Sequence, residues 1–297
     1  MRHAALPEYR ACRVLAAMLG CFFLAACAQQ PATPLPAREA AVIEANRRAE
    51  AQVRSGNFES AARYYGEALR LAQSIEDIDG IASNAINLSI VYQRIGKHAE
   101  ARASLAPMFD QAKLTFPPGR LAQAALRRAI LDLDERRYAS ATDWIDRAAS
   151  YCSGRDCALS GAIQNVKAQL ALEAGNADAA AASARAALAA SRGSGDRAEA
   201  ANALRVLGIA AIRAGDAAAA LAFFDEALAI DRELAAPRKI YLDLIGLGRA
   251  RALRGESSAA RTFYERALTV SEADRDTQGA AEARALVDAL GEKPASR

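Results

Sequence analysis

Few side chains in this 297-residue chain are equipped for covalent or metal chemistry, and their spacing limits what they can do. Beyond residue 27 the only cysteines are Cys152 and Cys157, which flank Ser153-Gly154-Arg155-Asp156. An isolated pair closing a turn-like loop suits a disulfide in an oxidising compartment, worth roughly 2 kcal/mol by chain entropy, with free thiols as the alternative. A redox motif would place two residues between the cysteines, and a zinc site would need two further ligands. The lone histidine after residue 27, His98, stands in a column shared with Phe58 and Tyr138, which points to packing or surface. Asp132 and Asp134, two residues apart on a helix, cannot face each other and are expected on a solvated face. Asp274-Arg275-Asp276-Thr277-Gln278-Gly279 begins like a calcium loop, but Ala285 stands where the bidentate carboxylate belongs. Asp276 is expected instead to cap a final helix. With no phosphate loop and no nucleophile beside a base, the sequence predicts neither an enzyme nor a metal or cofactor site.

The elements that carry these residues recur. Gly56, Gly96, Arg136, Gly175, Gly215 and Gly255 are spaced 40, 40, 39, 40 and 40 residues apart. Five residues past each stands alanine: Ala61, Ala101, Ala141, Ala180, Ala220 and Ala260. Twelve past come Ala68, Met108, Ala148, Ala187, Ala227 and Ala267, and seven before come Ala49, Ser89, Ala129, Ala168, Gly208 and Gly248. Nine past, the side chain is usually large: Tyr65, Leu105, Ile145, Ala184, Phe224 and Tyr264. Small residues let antiparallel helices approach, bulky ones fill the grooves between hairpins, and the glycine ends the first helix of each pair. Paired helices are expected at 38–55 and 58–75, 80–95 and 98–115, 119–135 and 138–150, 159–174 and 177–192, 197–214 and 217–235, and 239–254 and 257–273. Lacking glycine, the turn at Arg136 is expected to be less regular, and Pro107 to kink or shorten its helix. A helix from 277 to 290 with Leu286 and Leu290 on one face reads as a cap.

Leu207-Gly208, Gly215, Ala220, Phe224 and Ala227, and again Leu247-Gly248, Gly255, Ala260, Tyr264 and Ala267, resemble the tetratricopeptide repeat, in a long form of about 40 residues. The resemblance implies an all-α fold over residues 38–291, an α-solenoid of six hairpins plus a C-terminal cap. It also implies a concave groove lined by the first helix of each pair. Carried over by register, the groove positions are Asn46, Glu50, Arg54, Ile90, Arg94, Leu126, Ile130, Asn165, Gln169, Arg205, Ile209, Arg213, Ile245 and Arg249. Among these Arg54, Arg94, Arg205, Arg213 and Arg249 are the expected partner-binding residues, with Arg205, Arg213 and Arg249 suited to bidentate bonds with partner carboxylates.

The first 26 residues carry a different message. Arg2, Arg10 and Arg13 precede an apolar run from Val14 to Ala26, too short to span a bilayer but suited to an export signal. The ending Leu24-Ala25-Ala26-Cys27 resembles the lipobox of bacterial lipoproteins, which implies cleavage before Cys27 and its acylation. Ala28 is not the aspartate that retains such proteins at the inner membrane, so the resemblance implies an outer-membrane anchor facing the periplasm. Residues 27–37 are expected to hold the lipidated cysteine and a Pro-rich tether, in which Ala28 to Pro36, with Pro31, Pro34 and Pro36, would reach roughly 28 Å, and residues 292–297 are expected to be a disordered tail.

The chain has 38 basic and 35 acidic residues, and after the three arginines and single glutamate before residue 27 are set aside it is nearly neutral. No clustered basic face for nucleic acid follows from that. The expected function is therefore an adaptor that binds envelope proteins or peptides and meets the membrane only through its lipid. The second reading is a ligand- or peptide-binding sensory module. Oligomeric state is not encoded in any feature of the sequence.

Overall fold

In a computed structural model, residues 36–109, 114–153 and 157–291 are described, and among them every regular element is helical. The hairpins are α1 (Ala37–Arg54) with α2 (Phe58–Ser74), α3 (Ile78–Arg94) with α4 (His98–Leu105), and α5 (Pro118–Asp134) with α6 (Tyr138–Tyr151). They continue as α7 (Ser160–Glu173) with α8 (Ala177–Ser194), α9 (Arg197–Arg213) with α10 (Ala217–Glu233), and α11 (Pro237–Leu253) with α12 (Ser257–Ala273). A last helix, α13 (Thr277–Ala289), packs on α12. Residues 1–26, Cys27 and the tether up to residue 35, and the tail 292–297 lie outside the described residues.

The 40-residue period has a simple origin. Most helices are 17 residues long, about 25 Å at 1.5 Å per residue, and each ends in a three-residue turn with one left-handed position. Within the hairpins that position is the anchor residue, and between hairpins it lies 20 residues later, at Glu76, Gly195, Ala235 and Arg275. In each turn the following N–H reaches back to close the helix, as from Asn57 to the Gln52 carbonyl at 2.9 Å and from Asp216 to that of Ala211 at 2.9 Å. Arg136 obeys the same geometry, with φ +58 and Arg137 N–H donating to the Asp132 carbonyl at 2.7 Å. The irregular turn expected there does not occur: packing of α5 and α6 on both sides outweighs a local penalty of about 1–2 kcal/mol. Asp77, Asn176, Asp196, Asp216 and Asp276 cap their helices through side-chain oxygens, Asp276 as expected.

Pro107 does shorten its helix. α4 stops at Leu105 and the chain passes into a 3-10 turn, Ala106–Met108, that still buries Met108.

The small columns are packed as their register requires. All six alanines five past the anchor are fully buried. At Gly208 an added Cβ would lie 2.6 Å from the Phe224 ring, and at Gly248 2.2 Å from the Tyr264 ring, so the aromatic of each hairpin occupies the volume its glycine vacates. Repeat four pairs Ala168 with Ala184 at the same two positions. The core thus runs as successive apolar clusters along the array, each hairpin touching its neighbours.

Candidate functional site

The first helices α1, α3, α5, α7, α9 and α11 each pack on the next first helix, whereas second helices pack on their own partner and on the following first helix. First helices therefore make the inner layer of the curved stack. On each, the residues ten, six and two before the anchor share a face at i, i+4 spacing.

That face is groove only in part. From the third repeat onward the residue ten before the anchor is buried between adjoining first helices: Leu126, Asn165, Arg205 and Ile245. Glu50, Ile90, Arg249 and the next turn's Arg54, Arg94 and Arg213 stay exposed, with Ile130, Gln169, Ile209 and Asn46 half-buried.

Arg205 is the main correction. It is 7 % exposed, donating Nε to Asp243 at 2.7 Å, Nη2 to Asp231 and Nη1 to Asn202 at 2.9 Å. Its fork is spent on two buried carboxylates of the next helices, so it is a structural ion pair and not a partner-binding residue. Burial pushes the Asp243 carboxyl up to about 7, against the pull of Arg205. The other expected arginines keep their place at the surface with different freedom. Arg249 lies 3.0 Å from Glu282, Arg54 3.9 Å from Glu50, and Arg213 donates to the Leu172 carbonyl, while Arg94 makes no ion pair among the described residues.

Asp132 is a second correction. It is fully buried, not solvated, with Arg137 at 3.1 Å, Arg128 at 3.5 Å and the Ser140 hydroxyl donating at 2.6 Å. Only Asp134 is exposed as expected. His98 opens α4, half-buried, in the column of Phe58 and Tyr138. Cys152 and Cys157 meet in a disulfide, Cα atoms 5.5 Å apart, at the join of α6 and α7. Cys27 lies outside the described residues.

Two adjoining hollows mark the inner face of the first three repeats. One, of ≈ 380 Å³ between α3 and α5, has an apolar floor of Ile86, Leu126, Ile130 and Leu159 flanked by Arg120 and Arg127. The other, of ≈ 370 Å³ between α1 and α3, is lined by Val53, Phe58, Tyr65, Ile90 and Val91 beside Arg94. Asn87 borders both, and no carboxylate lines either one.

Arg127 is the residue that register alone missed. It donates Nε to the Ser89 hydroxyl at 2.9 Å and Nη2 to the Ser89 carbonyl at 3.2 Å and to Gln93, all neutral acceptors. Burial pulls its guanidinium down to about 10 against the pull of the nearby Asp134 carboxylate, so it remains charged at neutral pH with only neutral groups in direct contact. A signal was available, since the same column holds Val166, Val206 and Gly246 in the later copies. Arg120 is shared between Asp79 at 2.9 Å and Gln123 at 3.2 Å.

A family model described as tetratricopeptide repeat matches residues 39–106. Among solved structures, BtubC from P. vanneervenii is 19% identical, with a TM-score of 0.53, over 88% of this chain and 96% of its own. A signal-transduction ATPase with a tetratricopeptide-repeat sensor from Pyrococcus horikoshii is 14% identical, with a TM-score of 0.62, over 84% of this chain and 38% of its own. A tetratricopeptide repeat protein from Parabacteroides merdae is 13% identical, with a TM-score of 0.51, over 85% of this chain and 94% of its own. No curated protein sequence matches. At such identities the likeness shows the fold.

Proposed function

Taking the chain as a tetratricopeptide-repeat solenoid, we propose that it is a lipid-anchored periplasmic adaptor whose groove receives an acidic, apolar-studded segment of an envelope protein. The observation that carries this reading is the pair of hollows on repeats one to three, apolar below, lined by no carboxylate and bordered by Arg94 and Arg127, with Arg120 at the edge already paired to Asp79. Apolar side chains of a bound segment would bury area at about 25 cal/mol per Å², and each carboxylate meeting an arginine would add about 1.5–3 kcal/mol. Specificity then lies in the charges, because a basic segment would set like charges against Arg94 and Arg127.

The anchoring half of the proposal rests on the sequence: the apolar run from Val14 and the ending Leu24-Ala25-Ala26-Cys27. Two or more acyl chains on Cys27 would hold the protein stably on a membrane, and Ala28 favours the outer one.

Photo-crosslinking from Ile130 and Ile90 in intact cells, followed by mass spectrometry, tests the groove. The expected product is an envelope protein joined through an acidic stretch, and its yield falls about tenfold in the Arg127→Ala variant, as the loss of one charge-assisted bond requires. Products joined through basic stretches, or none in the presence of active export, overturn the reading. Labelled palmitate entering the wild type and not Cys27→Ser supports the anchor, and equal absence from both rejects it.

A further inference from the structure

Hairpin three meets hairpin four at a join unlike those that follow it. The eight residues 152–159 separate α6 from α7, whereas two or three residues separate consecutive helices from α7 onward. Each of those later joins is closed by a left-handed residue, and among the described residues none occurs here. Leu159, which precedes α7, brings no side-chain cap, while Asp196 caps α9 at the next join between hairpins. The backbone devices that fix the later joins are replaced by one covalent bond.

That bond ties the end of one helix to the start of the next. Cys152 takes the C-cap of α6, its N–H donating to the Ala148 carbonyl at 3.1 Å, and the Cys157 carbonyl accepts the N–H of Ser160, the first residue of α7, at 3.1 Å. Between them stands Leu159, half-buried, in the floor of the hollow between α3 and α5 with Leu126 and Ile130. Its carbonyl accepts the Ile163 N–H at 2.9 Å, which closes the first turn of α7. From Ile163 onward the helix is held without the disulfide, by Ile163 and Val166 in the core and by Lys167 to Asp146 at 3.0 Å. What depends on the cysteines is Leu159 and the turn it opens.

Both cysteines are only half-buried, so a dithiol reaches a sulfur without unfolding the chain. One thiolate of the dithiol attacks, the S–S bond breaks, and a mixed disulfide forms as the other cysteine leaves as a thiolate. The second thiolate of the reductant then displaces the first, so the reductant departs as a disulfide and the chain gains two electrons and two protons. We propose that Cys152 and Cys157 form a redox latch on the apolar hollow: oxidised, they seat Leu159 in its floor, and reduced, they let the first turn of α7 fray and withdraw that side chain. Opening so short a loop raises the frayed population about 30-fold. The consequence for a bound segment, weaker binding after reduction, rests on the adaptor reading, whereas the latch itself does not.

Amide exchange followed by NMR on the purified chain, oxidised and after dithiothreitol, tests the latch. The Ile163 N–H is the reporter, and the Ala200 N–H, which donates to the Asp196 carbonyl at 3.0 Å in the matching turn of α9, is the control. The expected result is exchange about 30-fold faster at Ile163 after reduction, with Ala200 unchanged and the slow rate restored on reoxidation. The Cys152→Ser, Cys157→Ser double variant exchanges like the reduced wild type and ignores dithiothreitol. A disulfide that resists dithiothreitol in the folded chain, an Ile163 rate unchanged by its reduction, or equal acceleration at Ile163 and Ala200 overturns the proposal. No partner enters this experiment, so its failure leaves the groove reading standing, and failed crosslinking from Ile130 leaves the latch standing.

Discussion

Replacing Arg205 by alanine separates two roles that the sequence could not tell apart. If this arginine served a partner, its loss would weaken binding and leave the fold alone, as surface substitutions generally stay within about 0.5 kcal/mol. In the structure it sits between Asp231 and Asp243, which are 2 % and 0 % exposed. Removing it strands two buried carboxylates less than one side chain apart, and breaking a buried pair from one end costs about 3–5 kcal/mol. For a domain of this size each kcal/mol moves the thermal midpoint by about 2–4 °C, so Arg205→Ala should melt about 10 °C lower at pH 7.5. The pH dependence carries the sign of the cause. Asp243 has a folded-state value raised to about 7, above its unfolded one, so its protonation favours the fold. That contribution is present below about pH 4 and fades as pH rises through 7, and with Arg205 gone the effect deepens. The deficit of the variant should therefore shrink between pH 7.5 and pH 5, followed by circular dichroism during heating. Arg213→Ala and Arg249→Ala, both exposed, serve as controls with small shifts. An Arg205→Ala protein that melts within 1 °C of wild type at pH 7.5 refutes the buried-pair account.

Gly248→Ala forces a Cβ to within 2.2 Å of the buried Tyr264 ring and should cost about 1–3 kcal/mol in urea unfolding, more than the strained but uncrowded Gly255→Ala. The Gly248→Ala, Tyr264→Ala double variant, which copies the Ala168 and Ala184 pairing, should lose less than the sum of its parts. Arg136→Gly relieves a left-handed non-glycine turn and should raise the urea midpoint, by about 1 kcal/mol in stability. Joint replacement of Cys152 and Cys157 by serine should remove about 2 kcal/mol, with the same loss on reduction of the wild type and none on reduction of the variant.

Much of this fold is legible because its signals are local. A glycine ends a helix, an aspartate three residues before a backbone N–H caps one, and a proline inside α4 stops it, all within a few residues of chain. Helix ends accordingly fall within a few residues of their expected places, except after Leu105, where Pro107 acts more strongly than a kink. The groove is less legible. Register placed Arg205 and Arg249 on one face, yet one is buried and the other exposed, because the residue ten before the anchor is covered only where neighbouring first helices converge.

The amino-acid sequence by itself determined the period, the six hairpins, the cap at Asp276 and the small-against-large pairing at Gly248 and Tyr264, since each follows from contacts within a hairpin or between adjacent ones. Only the tertiary structure decided which charges are spent and which are free. Asp132 and Arg205 read as surface residues in one dimension and are paired inside, while Arg127 and Lys239 are half-buried and donate only to neutral acceptors. Asp132 is paired by Arg128, Arg137 and Ser140 close by in the chain but is buried by the packing of its hairpin, whereas Arg205 finds Asp231 and Asp243 26 and 38 positions away, where the stacking of successive hairpins brings them.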